Sequence, residues 1–238
     1  MLFQADNYKT TFEFNKLVFS LIPSLVDKGF RSYLTFSGNM VAILWMQANS
    51  DSDPNRTGDY SIANASFFPV IDYAAQNIAS ANFSLQWTMF NSFFEWFDPV
   101  IGDISVGTNV WIGGRLITRE VFEKNPGELA AICMPALGSA IMNLSEFHLL
   151  DMPLRILLIS RLSTVGGGAI HDVAVDSTPL HPAWRQGGLA SLNIAFSYPN
   201  GANSTVTDYV KATVTNQTQS IDPLIGEGVG AYFNEADA

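Results

Sequence analysis

The sequence predicts an α+β fold, an antiparallel sheet flanked by helices, on three observations. A helical apolar rhythm over residues 10–28 leads into two strand-like runs joined by a tight turn. Helical and strand-like stretches then alternate without a sustained series of β-α-β units, which argues against a parallel sheet. Finally, 47% of the 238 residues are hydrophobic and only 14% are charged, enough apolar side chain to close one core.

In the opening helix Phe14, Leu17, Val18, Leu21, Ile22 and Leu25 recur at three- and four-residue steps, Pro23 threatens a kink, and Gly29 stops it. Residues 32–36 and 40–47 follow as a hairpin turned by Ser37-Gly38-Asn39. A polar loop covers 49–58, a helix 67–79 and a short strand 84–88. Residues 89–97 set Phe90, Phe93, Phe94 and Phe97 at helical steps beside Trp96, a stripe that reads as core or interface packing, or as the wall of an apolar pocket. A strand is predicted over 110–117, with Thr118 starting a short helix. A mostly helical stretch over 128–150, a strand over 154–162, a loop over 166–188, a strand over 189–198 and a helix from 205 to 216 or beyond complete the chain. Neither a repeat nor a low-complexity linker interrupts it, so residues 1–238 read as one unit.

A net charge of −10, with the 12 basic residues scattered, leaves no stripe to neutralise phosphates, which excludes nucleic acid and anionic membranes as expected partners. The longest apolar run, residues 40–46, is far short of the ~20 residues that cross a bilayer. Cys133, the only cysteine, sits in an apolar stretch and reads as a buried hydrophobe. Six glycosylation sequons, at Asn55, Asn64, Asn82, Asn143, Asn203 and Asn216, point to the secretory pathway, although residues 1–9 lack the pattern of a signal peptide. His148, His171 and His181 have no metal-ligand spacing, so no metal is expected. The serine-hydrolase elbow and the Walker loop are missing, and Gly166-Gly167-Gly168 opens no helix, so the dinucleotide fingerprint is not met.

Three segments ask for more than packing. Trp111-Ile112-Gly113-Gly114-Arg115-Leu116-Ile117-Thr118-Arg119 sets paired glycines before an arginine inside a strand-like run, where an arginine is costly unless it meets an anion or carbonyls. His181-Pro182-Ala183-Trp184-Arg185 forms a rigid polar-aromatic corner before a core strand. Gly230-Ala231-Tyr232-Phe233-Asn234-Glu235-Ala236-Asp237 reads as a strand-like end, with Tyr232 and Asn234 on one face and Phe233, Glu235 and Asp237 on the other. Just ahead of it, Gly226, Gly228 and Gly230 alternate as a turn.

In this order and spacing the segments resemble the substrate-binding domain of fungal FAD-linked oxidases of the vanillyl-alcohol oxidase superfamily, the group related to berberine bridge enzyme. The family patterns are Gly-Gly-Arg-Leu-Ile-x-Arg, Pro-Ala-Trp-Arg and Ala-Tyr-x-Asn-Glu-Ala-Asp, and the likeness covers nearly the whole chain. The resemblance implies a parent enzyme whose amino-terminal domain binds FAD, while the α+β domain roofs the flavin and forms the substrate pocket. It further implies that residues 1–238 are that substrate-binding domain, with the FAD-binding domain and a carboxy-terminal tail lying outside them.

The implied reaction is oxidation of an alcohol, sugar or specialised metabolite by hydride transfer to FAD, with reoxidation by oxygen, and the fragment alone is expected to be inactive. Plant-like relatives carry Tyr-x-Asn-Tyr-x-Asp at the terminal motif. Tyr232 and Asn234 match it as flavin-facing residues, while Glu235 replaces the second tyrosine, so either Tyr232 or Glu235 is the expected base. Arg115, Trp184 and Arg185 are the expected substrate-binding residues, with Arg115 anchoring the pocket or a domain interface. A secreted non-catalytic protein that holds a small apolar ligand at residues 87–97, or a degenerate gene product, stands as the alternative.

Overall fold

The computed structural model describes residues 1–37, 40–47, 60–77, 79–100, 109–134, 158–226 and 228–236. The expected turn at 38–39, the loop at 49–58, the helix beyond residue 134 and the strand start at 154–157 lie outside the described residues. So do Asn55, Asn143, His148 and Asp237.

After a short strand β1 (Leu2–Ala5), Asn7 accepts a hydrogen bond from the Thr10 amide at 2.9 Å and starts helix α1 (Tyr8–Asp27). The helix runs through Pro23, and Gly29, at φ +83°, turns the chain into the hairpin β2 (Phe30–Ser37) and β3 (Met40–Gln47). Helix α2 (Ser61–Gln76) begins six residues before the apolar rhythm suggests, and β4 (Ala81–Ser84) ends where the predicted strand was to begin. Helix α3 (Phe93–Val100) leads to β5 (Asn109–Thr118), α4 (Arg119–Lys124) and α5 (Pro126–Cys133). The chain closes with β6 (Leu158–Ser163), β7 (Gly188–Tyr198), α6 (Ser204–Gln219) and the one-turn α7 (Asp222–Ile225).

The strands form one seven-stranded sheet in the order β4-β1-β3-β2-β6-β7-β5, with every pair antiparallel. The predicted α+β class is therefore the observed one. Alternation divides the sheet into two faces. On one, the row Val41, Phe36, Ser160, Ile194 and Gly113 crosses five strands, and the helices bury that side. Phe14 of α1 stacks on Phe3 at 3.8 Å between ring centres, and Phe19 meets Phe36 and Phe122 edge-on at 5.5 and 6.1 Å. Truncating such a ring to alanine costs about 3–5 kcal/mol. Val210 and Val214 of α6 cover Ile194 and Phe196 at the other end. Cys133 lies in this core, and burial pushes its thiol far above the ordinary range.

On the opposite face the row is Ala42, Thr35, Arg161, Asn193 and Gly114. The packing of α1, α2 and α6 falls on the first side. The aromatic stripe of α3 is on the surface rather than in a core, with Phe93 and Phe94 each 73% exposed. Among the described residues, no helix is long and apolar enough to cross a membrane.

Candidate functional site at the β5 edge of the open face

All three sequence segments meet at one place, the outer edge of β5. Gly114 faces away from the helices, and there the chain's last segment crosses it. A β-carbon at 114 would stand 2.5 Å from Asn193 Oδ1, 2.8 Å from the Glu235 carbonyl oxygen and 3.2 Å from the Leu192 carbonyl oxygen. Only glycine admits that backbone crossing. Two residues on, the Leu116 amide donates to the Gly230 carbonyl at 3.0 Å, so the terminal segment also satisfies an edge-strand donor.

The terminal segment is a turn, not the strand its alternation suggests. Gly228 and Gly230 have φ of +80° and +71°, which extended pairing does not use, and residues 233–235 wind into a 3₁₀ turn closed by the Glu235 amide on the Tyr232 carbonyl at 2.9 Å. At 230 the conformation sets the need for glycine. An added β-carbon would meet the His181 ring at an ordinary 3.6 Å, but the positive φ strains any other residue.

The turn brings Tyr232 and Asn234 together, and Asn234 Nδ2 donates to the Tyr232 hydroxyl oxygen at 3.0 Å. Tyr232 is 44% exposed, and the Asn234 donation engages one acceptor position of its oxygen. Phe233 is 90% exposed. Glu235 is half-buried, with its backbone committed to the turn and to the crossing over Gly114.

His181-Pro182-Ala183-Trp184-Arg185 braces this segment from behind. The His181 Nδ1 accepts from the Ala183 amide at 3.2 Å and caps the 3₁₀ turn Pro182–Trp184. Trp184 is buried with Leu116, Ala183, Ile170 and Val229. Arg185 donates to the Ile170 carbonyl at 3.0 Å and to Thr178 Oγ1 at 2.9 Å, which ties down the 168–188 loop. Arg115, between Gly114 and Leu116, belongs to the helix-covered side. Its Nε donates to Asp222 at 2.7 Å and its Nη1 to the Gly114 carbonyl at 2.8 Å, stapling α7 to β5. The anion and carbonyl that a strand arginine requires are thus supplied from within the chain. Of the expected site residues, Tyr232, Asn234 and Glu235 come together, Trp184 and Arg185 stand behind them, and Arg115 is on the other face.

Sequence reasoning passed over the row beside this site. Asn193, buried and accepting from the Ser191 hydroxyl at 3.1 Å, projects over Gly114, and Arg161 and Thr35 follow in register. The available signal was the pair of polar residues two apart in the middle of β7, Ser191 and Asn193, out of phase with Leu192 and Ile194.

No family model matches the sequence, and no curated protein matches it. Solved structures do match, and they define the class of fold: it is that of a portion of the VAO-type flavoproteins. A VAO-type flavoprotein from Myceliophthora thermophila C1 superposes with a TM-score of 0.76 at 17% identity, over 99% of this chain and 40% of that one. Berberine bridge enzyme from Eschscholzia californica matches at 0.62 and 11% identity, over 100% of this chain and 43% of that one. Glucooligosaccharide oxidase from Acremonium strictum, whose structure is described as revealing a novel flavinylation, matches at 0.62 and 12%, over 99% and 46%. The chain therefore spans less than half the length of these proteins, and at such identities the likeness establishes the fold alone.

Proposed function

We propose that this chain is the substrate-facing part of a flavin-dependent oxidoreductase acting on an alcohol, a sugar or a specialised metabolite. The observation that carries the reading is the convergence of Gly114, the His181–Arg185 corner and the Tyr232–Asn234 pair at one edge of an open sheet face. The fold shared with VAO-type flavoproteins supports it.

The residues fit one end of FAD and not the other. The exposed phenol of Tyr232, held by an amide, suits contact with a flat ring and the carbon being oxidised there. Nothing among the described residues suits the pyrophosphate, since Gly166-Gly167-Gly168 leads into a three-residue 3₁₀ turn and not a helix. FAD would thus be held mainly by residues beyond these, and when bound it supplies the hydride acceptor and the path of electrons to oxygen, with hydrogen peroxide as product. As the phenolate, its own proton given up to solvent, Tyr232 would take the proton of a substrate hydroxyl, and the Asn234 amide that donates to its oxygen would stabilise the charge. Glu235 is the other candidate base, one residue on.

Secretion belongs to the same proposal. Asn64, Asn82, Asn203 and Asn216 all lie exposed, which leaves their amides open to glycan attachment.

The decisive experiment is to express the gene's full reading frame in a secretory host and record the visible spectrum of the purified protein. Flavin absorption bands that bleach on anaerobic addition of substrate are expected. A colourless protein from a reading frame without any nucleotide-binding fold sinks the reading.

A further inference from the structure

We infer that the open face carries an anion-recognising subsite centred on Arg161, which takes a small molecule bearing a carboxylate. Binding at this subsite stands by itself; calling the ligand a substrate rests on the flavin reading above.

Arg161 lies on β6, an interior strand, and its exposed side chain belongs to the face opposite the helices. The described arginines are otherwise committed. Arg31 donates to the Val26 and Phe30 carbonyls, Arg115 pairs with Asp222, Arg119 with Asp27 and Glu123, and Arg185 with the Ile170 carbonyl and Thr178. Among the described residues Arg161 has no partner. This is unusual placement in a chain with 22 acidic residues against 12 basic ones. The positions around it in the sheet are Thr35 and Asn193 in register, and Tyr33, Ile159, Ser163, Ser191 and Ala195 diagonally. None is a carboxylate, so the positive charge is not neutralised by its neighbours.

The neighbours that are polar add donors. The Ser191 hydroxyl occupies Asn193 Oδ1 at 3.1 Å, which fixes the amide and leaves its Nδ2 hydrogens available. Thr35 adds a hydroxyl on the other side of Arg161. A guanidinium fork between two neutral donors matches a carboxylate, which accepts through both oxygens. The flanking Ile159 and Ala195 offer apolar surface for the body of the ligand. Asn193 and then Gly114 continue the same row, so Arg161 stands two strand spacings, about 10 Å, from the strand over which the Tyr232 turn crosses. A hydroxy acid with one ring between its two ends spans that gap.

The test uses calorimetric titration and saturation-transfer NMR on the 238-residue protein at fixed ionic strength, with 4-(hydroxymethyl)benzoate and its neutral counterpart benzene-1,4-dimethanol. The acid is expected to bind at least about tenfold more tightly. Arg161→Gln should abolish the preference without changing the melting temperature, and Arg161→Lys should restore only part of it. Equal binding of the two compounds, absence of binding by either, or an unchanged preference in Arg161→Gln overturns the subsite. A flavin spectrum from the full reading frame together with any of those results overturns the subsite and leaves the flavin reading intact. A colourless protein that keeps the Arg161-dependent preference does the reverse.

Discussion

The carbonyl oxygen of Glu235 lies over Gly114 so closely that a β-carbon there would stand 2.8 Å from it. The obstacle is backbone and cannot rotate away. Gly114→Ala is expected to destabilise the protein by about 1–3 kcal/mol through overpacking, and to lift the terminal turn off β5. Thermal melting reads the first effect, and amide exchange over residues 231–236 the second. Unchanged protection there would show that the turn does not rest on this crossing.

Asp27 and Arg119 close a two-pronged ion pair between the end of α1 and the start of α4, and Glu123 joins at 3.5 Å. These hydrogen bonds and charges hold the Arg119 guanidinium's pKa above its ordinary value. Both partners are substantially exposed, so Asp27→Asn should cost only about 0.5–1 kcal/mol. Urea denaturation at low and at molar salt checks this, because screening should shrink the difference.

The buried Cys133 thiol should not react. Burial raises its pKa in the fold, so folding favours the neutral form; that contribution is complete below the thiol's unfolded pKa and fades as pH climbs beyond it. Iodoacetamide at pH 8 is expected to leave the native protein unlabelled and to label it fully in urea, as read by intact mass. Rapid native labelling would mean that the α5 region opens readily.

What the sequence disclosed follows from the range over which each feature is determined. Strand β7 and helix α1 were legible because their apolar periods are internal to them. Strand β1 escaped notice because its four residues carry no pattern; it is held by pairing with β3 and β4 and by Phe3 against Phe14. The terminal turn was misread because two positive-φ glycines precede an alternation that imitates a strand. Residues 111–119, 181–185 and 230–237 stand out in the sequence as separate segments, and only the packing of Trp184 with Leu116 and Val229 and the Leu116–Gly230 bond show that they meet. Arg161 and Asn193 could not be associated before the register of β6 on β7 was known.

Glycan attachment is expected at Asn64, Asn82, Asn203 and Asn216 when the protein passes through a secretory host. Asn64 Oδ1 accepts from the Trp87 indole at 3.0 Å, and Asn203 Oδ1 caps α6 through the Val206 amide at 3.0 Å. Both contacts use the oxygen and leave Nδ2, the atom that is glycosylated, unengaged by them. Peptide mapping after enzymatic deglycosylation should find aspartate at each position. Asparagine throughout would argue against secretion.

Substitutions in the terminal turn separate the two candidate bases. If the full reading frame yields a flavin-bearing protein, Tyr232→Phe in it should lower kcat by about 10²–10⁴-fold with little change in KM, because it removes the acceptor and not the binding surface. Asn234→Ala should cost less, since the hydroxyl remains and loses only its 3.0 Å donor. Glu235→Gln keeps shape and backbone geometry, so it should leave kcat within a few-fold if Tyr232 is the base. The expectation favours Tyr232, whose hydroxyl is exposed and oriented by Asn234, whereas the backbone of Glu235 serves the turn and the crossing over Gly114. A full loss in Glu235→Gln with activity retained in Tyr232→Phe would transfer the role to the carboxylate. Full activity in both variants would remove proton abstraction from this turn altogether and leave it a structural clasp on β5.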